Sequence, residues 1–385
     1  MRRTLQITFL GLAALTAAAC GKERITGGGS DSKVAFGIEP TIVAGGSESI
    51  GQVATRAKVD GTFPAGSIIG LGIAADGTTL PSFYSNFFAQ MNTGAVGVWY
   101  YYLNGVNNGM QLAGFANWGN IQVYGYYPYN SAVTDVSDIP FRIATLSGAP
   151  GEATATDADV STDYMVSNTG LKNMTTNTPA GNLSLQFRHL MTAIELRINR
   201  SNGNIPMLKL DHVTYTIDSG RSFIVSGTYT AHNPDLINLS ANITPGDAAS
   251  TLAVSYPSSA NISGSSVSTR LLVIMPELRQ TTGAGGADDA TVTLTFSFTD
   301  QDNGAGGSHY EFQTFPGGDP VVSFKLSDIT NTGDDNGLLA GYTYAVTATI
   351  ATYTQFLAPT TGTPMPPHVN FDPLVDDPND ILTDI

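Results

Sequence analysis

Two residues near the start of the chain have side-chain types and positions that suggest chemical modification. They are a lone cysteine and, some way after it, an arginine. Cys20 is the only cysteine, so no disulfide can form within the chain. It follows three alanines at the end of an apolar run that begins at Leu5, after Met-Arg-Arg. This pattern indicates a secretory signal peptide, and Cys20 resembles the acceptor cysteine of a bacterial lipobox. We therefore predict removal of residues 1–19 and acylation of Cys20, whose acyl chains anchor the protein to a membrane.

Arg56 is the second candidate for chemistry, in the run Thr55-Arg56-Ala57. It follows a stretch from Gly45 that is predicted to be an exposed loop, where proteolytic cleavage concentrates. Two interpretations stay open on the residues alone. Arg56 is an ordinary surface arginine, or a protease cuts the chain between Arg56 and Ala57.

A segment with the alternation of a β-strand lies between these two residues. Its apolar residues recur at every second position, which predicts one buried face: Val34, Phe36, Ile38, Pro40 and Ile42. A flexible tether, Gly27 to Ser32, precedes it. Burial of the four aliphatic or aromatic side chains of this set would stabilise the protein by roughly 6 to 12 kcal/mol, as an upper bound. A cut at Arg56 would therefore not by itself release this strand, because burial would still hold it in place. Lasting removal requires an equivalent strand in its place, and the segment is called the removable strand below.

The C-terminal tail, residues 358–385, carries a similar pattern. Its first part, Ala358 to Pro367, is rich in proline and is predicted to be an extended segment that spans on the order of 30 Å. The apolar residues that follow again stand at every second position: Val369, Phe371, Pro373 and Val375. The two valines and Phe371 are therefore a candidate donor strand, with a chance alternation as the alternative.

The rest of the chain has the pattern of short strands separated by turns. Charged residues are only 13% of the chain and Gly alone contributes 42 residues, which favours strands over long surface helices. Alternation predicts half-buried antiparallel strands within residues 67–74, 97–103, 121–129, 183–199, 213–217, 271–275, 292–298 and 342–350. We predict an all-β protein with two β-sandwich domains and Greek-key connections, residues 57–200 and 201–357.

Charge and hydropathy limit the classes of partner. Loss of Arg2 and Arg3 with the signal peptide leaves 15 basic and 32 acidic residues, a net charge of −17. Such acidity disfavours nucleic acid as a partner, because phosphates would not be neutralised. No apolar run after the signal peptide approaches the roughly 18 residues of a membrane helix, so the lipid is expected to be the only anchor.

Two motifs imitate binding loops. Gly70-Leu-Gly72-Ile-Ala-Ala75 resembles a dinucleotide loop, but Thr78-Thr-Leu-Pro81 prevents the required helix, so strand glycines are the better interpretation. Asp300 to Glu311 has the length of a calcium loop, but Gly304 stands where a ligand is needed. A glycine-rich hairpin fits that segment better.

No set of residues predicts a metal site or a catalytic centre. Asp157, Asp159 and Asp163 could hold calcium, although the polar passage from Gly148 to Asp163 is better interpreted as a solvated loop. The histidines are far apart, and His189 on its predicted strand is interpreted as a core or edge histidine. No Gly-x-Ser-x-Gly motif occurs and no cysteine nucleophile remains after lipidation, so we expect no enzyme activity and no cofactor.

Two rows of tyrosines leave a second function open. Tyr100 to Tyr102 and Tyr124 to Tyr129 could form a platform that binds glycans, although aromatic rows on strands more often pack in the core or pair across strands. The alternative function is therefore a monomeric surface lipoprotein that binds glycans and keeps its first strand.

The chain resembles the fimbrillin family, the type V pilus proteins of Gram-negative anaerobes. The resemblance depends on the order of several motifs, which follow the lipobox cysteine and Thr55-Arg56-Ala57: Phe63-Pro-Ala-Gly-Ser-Ile-Ile-Gly-Leu71, Val123-Tyr-Gly-Tyr-Tyr-Pro-Tyr129, Asp163-Tyr-Met-Val166, Phe187-Arg-His-Leu190 and, more loosely, Leu338-Leu-Ala-Gly-Tyr-Thr-Tyr344. Ser67 stands where relatives often carry an acid, and the C-terminal segment lacks the tryptophan near which many end.

The resemblance implies a fold, a location and a mode of assembly. These are two transthyretin-like β-sandwich domains, delivery to the outer membrane as a lipoprotein, and cleavage after an arginine of the first loop by an arginine-specific protease. Arg56 is the matching arginine. Subunits of the family polymerise by strand exchange, so other fimbrial subunits are the expected partners, with a host or bacterial surface ligand as a further one. Our hypothesis from the sequence is a surface-anchored subunit of an adhesive fimbria.

Overall fold

The structure is a computed structural model that describes most of the chain between residues 35 and 364. The described residues are 35–36, 38–42, 63, 65–75, 84–94, 97–103, 105–107, 109–110, 112–113, 120–173, 183–200, 208–256, 261–262, 269–282, 284–300, 319, 321–329, 331, 336–350, 354–357 and 363–364. The predictions for Cys20, for Arg56 and Ala57, for Val34 and for the donor segment from Val369 lie outside these residues and stay predictions.

The described elements are almost all strands, so the prediction of an all-β protein is confirmed. In the first half they are β1 (Ala35–Phe36), β2 (Ile38–Ile42), β3 (Ile68–Ala75), β4 (Phe87–Met91), β5 (Trp99–Leu103), β6 (Val106–Asn107), β7 (Leu112–Ala113), β8 (Asn120–Tyr127), β9 (Ile139–Arg142), β10 (Thr145–Leu146), β11 (Glu152–Thr156), β12 (Met165–Ser167), β13 (Gly170–Asn173) and β14 (Leu183–His189). In the second half they are β15 (Met191–Arg200), β16 (Leu208–Ile217), β17 (Phe223–Ile224), β18 (Ser226–Tyr229), β19 (Ile243–Pro245), β20 (Ala248–Ala249), β21 (Thr251–Ser255), β22 (Asn261–Ile262), β23 (Thr269–Pro276), β24 (Leu278–Gln280), β25 (Thr291–Asp300), β26 (Val321–Lys325), β27 (Asn336–Leu338), β28 (Tyr342–Ile350), β29 (Thr354–Leu357) and β30 (Thr363–Pro364). Short 3-10 helices occur at Asp159–Ser161, Leu239–Asn242 and Leu326–Asp328.

Three sheets hold most of these strands. The largest runs β2-β14-β12-β8-β3-β4-β5-β6, with β13 also on β8. A second runs β10-β11-β21-β16-β25-β26, and a third runs β23-β15-β28-β29. Within the described residues no helix has the length and apolar character needed to cross a lipid bilayer.

Pairing across the predicted domain boundary is extensive. The strand β15, before residue 201, pairs with β23 and β28 of the second half. The strand β11 pairs in parallel with β21. It lies within the passage predicted to be a polar loop, so that prediction was wrong, because alternating alanines at 153 and 155 are buried between exposed neighbours. The two transthyretin-like domains, their boundary and the Greek-key connections stay predictions.

The strand β8 separates two hydrophobic cores. Tyr124 and Tyr126 on one face belong to the larger core, which continues through the second half of the chain. Ile121, Val123 and Tyr127 on the other face belong to the smaller core, which also contains Ile38 and Ile42. Because both faces of β8 are buried, the smaller core lies on one side of the sheet and the larger core on the other.

Glycine is required where β3 and β8 pair. Gly70 lies opposite Tyr126, and a Cβ atom on Gly70 would be 1.9 Å from that ring. The ring cannot move away easily, because its hydroxyl is bonded to Asn86 and Asn130. We expect Gly70→Ala to lower the free energy of unfolding by about 1–3 kcal/mol through overpacking. Chemical denaturation measures this, and Gly148→Ala is the control, since a Cβ there meets nothing within 4 Å. Equal stability of the two variants would contradict the prediction.

Candidate functional site

Part of the predicted removable strand, Ile38–Ile42, is present as β2 at one end of the largest sheet. The prediction of one continuous strand was wrong, because Ala35–Phe36 forms the separate strand β1, which pairs with β7 in another sheet. It pairs in parallel with β14, with Ile38 opposite Leu183, Pro40 opposite Leu185 and Ile42 opposite Phe187. On its other side, β14 pairs with β12. The edge of β14 that β2 covers, together with the side-chain sites filled by Ile38 and Ile42, is called the seat below.

Burial of β2 follows the predicted alternation. Ile38 and Ile42 are 4% and 7% exposed, whereas Glu39 and Thr41 point outward and Pro40 is half-buried. Burial of the two isoleucines contributes about 3–6 kcal/mol, again as an upper bound. The backbone of Phe36 pairs with Leu112, so the chain before β2 is also held by the body.

The edge of β2 that faces away from β14 offers few backbone donors. The N–H of Ile38 donates to the hydroxyl of Tyr101 at 2.6 Å, which places this N–H on the side away from β14. Alternate residues of a strand direct their backbone groups to the same side. The backbone nitrogen of Pro40, which carries no hydrogen, is therefore also on the edge of β2 that faces away from β14. The proline consequently removes no hydrogen bond from the ladder between β2 and β14.

Tyr101 contacts the strand in the seat, a contact that the sequence did not predict, since its row of tyrosines suggested only a glycan platform or core and cross-strand packing. It lies on β5, is 1% exposed, and burial raises the pKa of its hydroxyl, with the bond from Ile38 acting in the opposite direction. Every residue of β5 is apolar or aromatic, so the pattern does not separate an inward face from an outward one. Its contact with Ile38 spans 63 residues of sequence, and no local signal could reveal it.

A cluster of aromatic rings forms the floor of the seat around Phe63. The Phe63 ring meets Trp99 and Phe187 edge to face, with centroids 5.4 and 5.2 Å apart, and is tilted against Tyr127 at 5.8 Å. Edge-to-face contacts of this kind add to the energy of burial. Phe63, Tyr127 and Phe187 come from three of the motifs on which the family resemblance depends. These motifs therefore meet in one core, beside the site of Ile42.

The motif that contains Phe187 also contains His189, which meets Asp163 of a further motif in a buried pair at the end of β14. His189 Nδ1 lies 2.5 Å from Asp163 Oδ2, and both side chains are fully buried. Among the described residues, the other imidazole nitrogen and the other carboxylate oxygen have no hydrogen-bond partner. The interpretation of His189 as a core histidine is confirmed, whereas the interpretation of Asp163 as part of a solvated loop was wrong. The histidine compensates the burial of the carboxyl group, which would otherwise be costly.

The other loop acids make local bonds. Asp159 Oδ2 accepts bonds from the N–H and the hydroxyl of Thr156, and Asp157 accepts one from the N–H of Ala158. In the described part of the chain, no three His, Cys, Asp or Glu side chains come close enough to share a metal ion. Gly70 and Gly72 lie within β3, as the interpretation as strand glycines requires. The calcium-like segment after Asp300 lies outside the described residues.

Four of the seven tyrosines in the two rows are buried and cannot line a platform for sugars. These are Tyr101 and Tyr127 in the smaller core and Tyr124 and Tyr126 in the larger core. The three on β8 are buried because both faces of that strand are covered. The half-buried Tyr102 stacks on Phe88 with centroids 4.6 Å apart and an interplanar angle of 7°. This face-to-face contact is a cross-strand pair, and it covers one face of the Tyr102 ring.

The tail is partly paired to the body. Thr363 and Pro364, inside the segment predicted to be extended, pair with Thr343 and Tyr342 of β28. The donor segment begins five residues later and lies outside the described residues.

The chain matches a protein-family model and has several similar solved structures. A model of the fimbrillin-like family matches residues 55–363, about four fifths of the chain. A candidate cell adhesion protein from Bacteroides ovatus is 16% identical, with a TM-score of 0.42 over 84% of this chain and 95% of that chain. A second from Bacteroides uniformis is 16% identical, with a TM-score of 0.43 over 88% and 99%. A fimbrial protein from Bacteroides vulgatus is 11% identical, with a TM-score of 0.32 over 84% and 98%. No curated protein matches the chain.

Proposed function

The chain belongs to the fimbrillin-like family, and from this premise we propose that it is a structural subunit of a cell-surface fimbria that assembles by strand exchange. The observation that carries the proposal is the strand β2, whose two buried isoleucines fill the seat at the end of the largest sheet. The fimbria takes part in adhesion, and the subunit performs no catalysis.

Maturation begins at the membrane. Residues 1–19 direct export, and the acylated Cys20 anchors the subunit to the outer membrane before processing. An arginine-specific protease then cuts between Arg56 and Ala57. The cut separates β2 covalently from the body, although the seat still holds it by the contacts described above.

Exchange then replaces β2 by a strand of a neighbouring subunit. Loss of β2 would expose the backbone edge of β14 and the apolar sites of Ile38 and Ile42, the kind of edge that accepts a new strand. Ladder bonds supply affinity, and alternate side chains supply register. Since each subunit gives one strand and receives another, the contact is heterologous and produces an open filament.

The sequence of the C-terminal tail supports its assignment as the donor strand. Phe371-Asp-Pro-Leu-Val375 matches Ile38-Glu-Pro-Thr-Ile42 position by position: an apolar residue, an acid, a proline, a variable residue and an aliphatic residue. In β2 the first and last positions are buried and the acid is exposed. The tail therefore has the side chains that the seat accepts, at the required spacing, together with a proline where the ladder needs no donor.

Cleavage at Arg56 is tested by expressing the lipoprotein in a host with an arginine-specific protease and running unboiled gels. We expect the wild-type chain to give a ladder of polymers and Arg56→Ala to give none, because the first strand stays covalently attached and refills its own seat. Lys58→Ala, the nearest basic residue after the cut, is the control and should keep the ladder. A single full-length band from the wild-type chain under all conditions would argue for a monomeric protein.

A further inference from the structure

Tyr101 contacts the strand in the seat in a way that packing does not require. Its hydroxyl oxygen accepts the backbone N–H of Ile38 at 2.6 Å, although Tyr101 lies on β5, near the opposite end of the sheet order from β2. The contact is to backbone and not to a side chain, so any residue with an N–H could supply it. A proline could not.

The contact can distinguish registers that side-chain alternation cannot. A slip of β2 by one residue would turn its apolar side chains outward, so burial alone prevents it. A slip by two residues keeps the apolar face inward and keeps the ladder to β14. In one direction, that slip brings Pro40 to the place of Ile38, opposite Leu183, where it offers Tyr101 no N–H. The buried hydroxyl would then lose its partner.

We propose that Tyr101 is a positioning residue that sets the register of the strand in the seat, by accepting an N–H at the first buried position and rejecting the proline that lies two residues later. The same rule applies to the incoming strand, an extension that rests on the proposed function. Phe371 carries an N–H and Pro373 stands two residues after it, so the tail fits in one register and is rejected when it slips by two in this direction.

Engineered disulfides on the outward face can measure the register in the uncleaved full chain. Cys20→Ser is present in every variant, so that only the new cysteines react. Glu39→Cys with Ser184→Cys reports the observed register, in which these two residues are directly opposite. Thr41→Cys with Ser184→Cys reports the slipped register. In the observed register that second pair is about 8 Å apart between Cα atoms, from a strand spacing of about 4.8 Å and a rise of about 3.3 Å per residue. Disulfides do not bridge Cα atoms more than about 7 Å apart.

We expect the wild-type background to crosslink the first pair and hardly the second. Tyr101→Phe should raise the yield of the second pair relative to the first by about fivefold, the effect of one typical hydrogen bond. Pro40→Ala, which restores an N–H to the slipped strand, should raise the ratio without any change in Tyr101. Tyr102→Phe is the matched control on the outward face of β5 and should leave the ratio unchanged.

Two results would overturn the proposal. One is the same ratio in the wild-type and Tyr101→Phe backgrounds. The other is a loss of both crosslinks together at a constant ratio, which would make Tyr101 a packing residue only. Because the uncleaved chain is used, these results do not depend on Arg56 or on polymerisation. Absence of a polymer ladder, with the register shift as expected, would count against the proposed function alone.

Discussion

Replacing Phe371 and Val375 together by aspartate is expected to stop assembly at single subunits. In the proposed exchange these side chains enter the sites of Ile38 and Ile42, which are 4% and 7% exposed. Two carboxylates there would lose their hydration without gaining partners, a cost that exceeds what the strand contributes by burial. Unboiled gels and electron microscopy of protease-treated cells would show processed monomers and no filaments.

The control for this prediction uses the same chemical change at an outward position. Leu374 corresponds to the exposed Thr41 in the proposed register, so Leu374→Asp should keep the ladder. Cleavage at Arg56 should be equal in both variants, which separates a defect in exchange from a defect in processing. A normal ladder from the double aspartate variant would exclude this segment as the donor.

Replacing Asp163 by alanine is expected to lower the free energy of unfolding by about 3–5 kcal/mol. The change removes one member of a fully buried pair and leaves the imidazole of His189 without its partner at Nδ1. Its other ring nitrogen has no partner among the described residues, so nothing nearby compensates for the loss. Chemical denaturation measures the effect, and Asp138→Ala on the exposed surface should change stability by no more than about 0.5 kcal/mol.

A double variant tests whether the pair is the cause. Asp163→Ala combined with His189→Leu should recover part of the lost stability, because no buried polar group is then left without a partner. If the two substitutions are simply additive, the pair does not couple these residues. His189 is the last residue of β14, so the single variant should also weaken the seat and make β2 easier to exchange.

Local patterns were sufficient for the strands with clear apolar alternation and for the inward residues of β2. Alternation at Ile38 and Ile42 predicts the two side chains that are buried, and alternation at Leu183 to Phe187 predicts β14. This follows because the side chains of a strand alternate between its faces with a period of two, wherever the strand lies. The order of short motifs was also sufficient for the family, which the family model then confirmed.

Local patterns did not predict burial where both faces of a strand are covered. They also did not predict a strand whose inward side chains are small. Tyr124 and Tyr126 could have lined a surface by sequence, yet both are buried because a second core covers that face of β8. The strand β11 has only alanines on its inward side, so its hydrophobic signal was too weak to distinguish from a loop.

Which strands are neighbours was decided by the tertiary structure alone. The pairing of β2 with β14, the hydroxyl of Tyr101 on Ile38, and the pair of Asp163 with His189 each join segments that are distant in sequence. A period of two fixes which way a side chain points along its own strand and contains no information about the partner strand. The partner is selected by the packing of all the faces at once, and for this chain that packing creates the seat that β2 occupies.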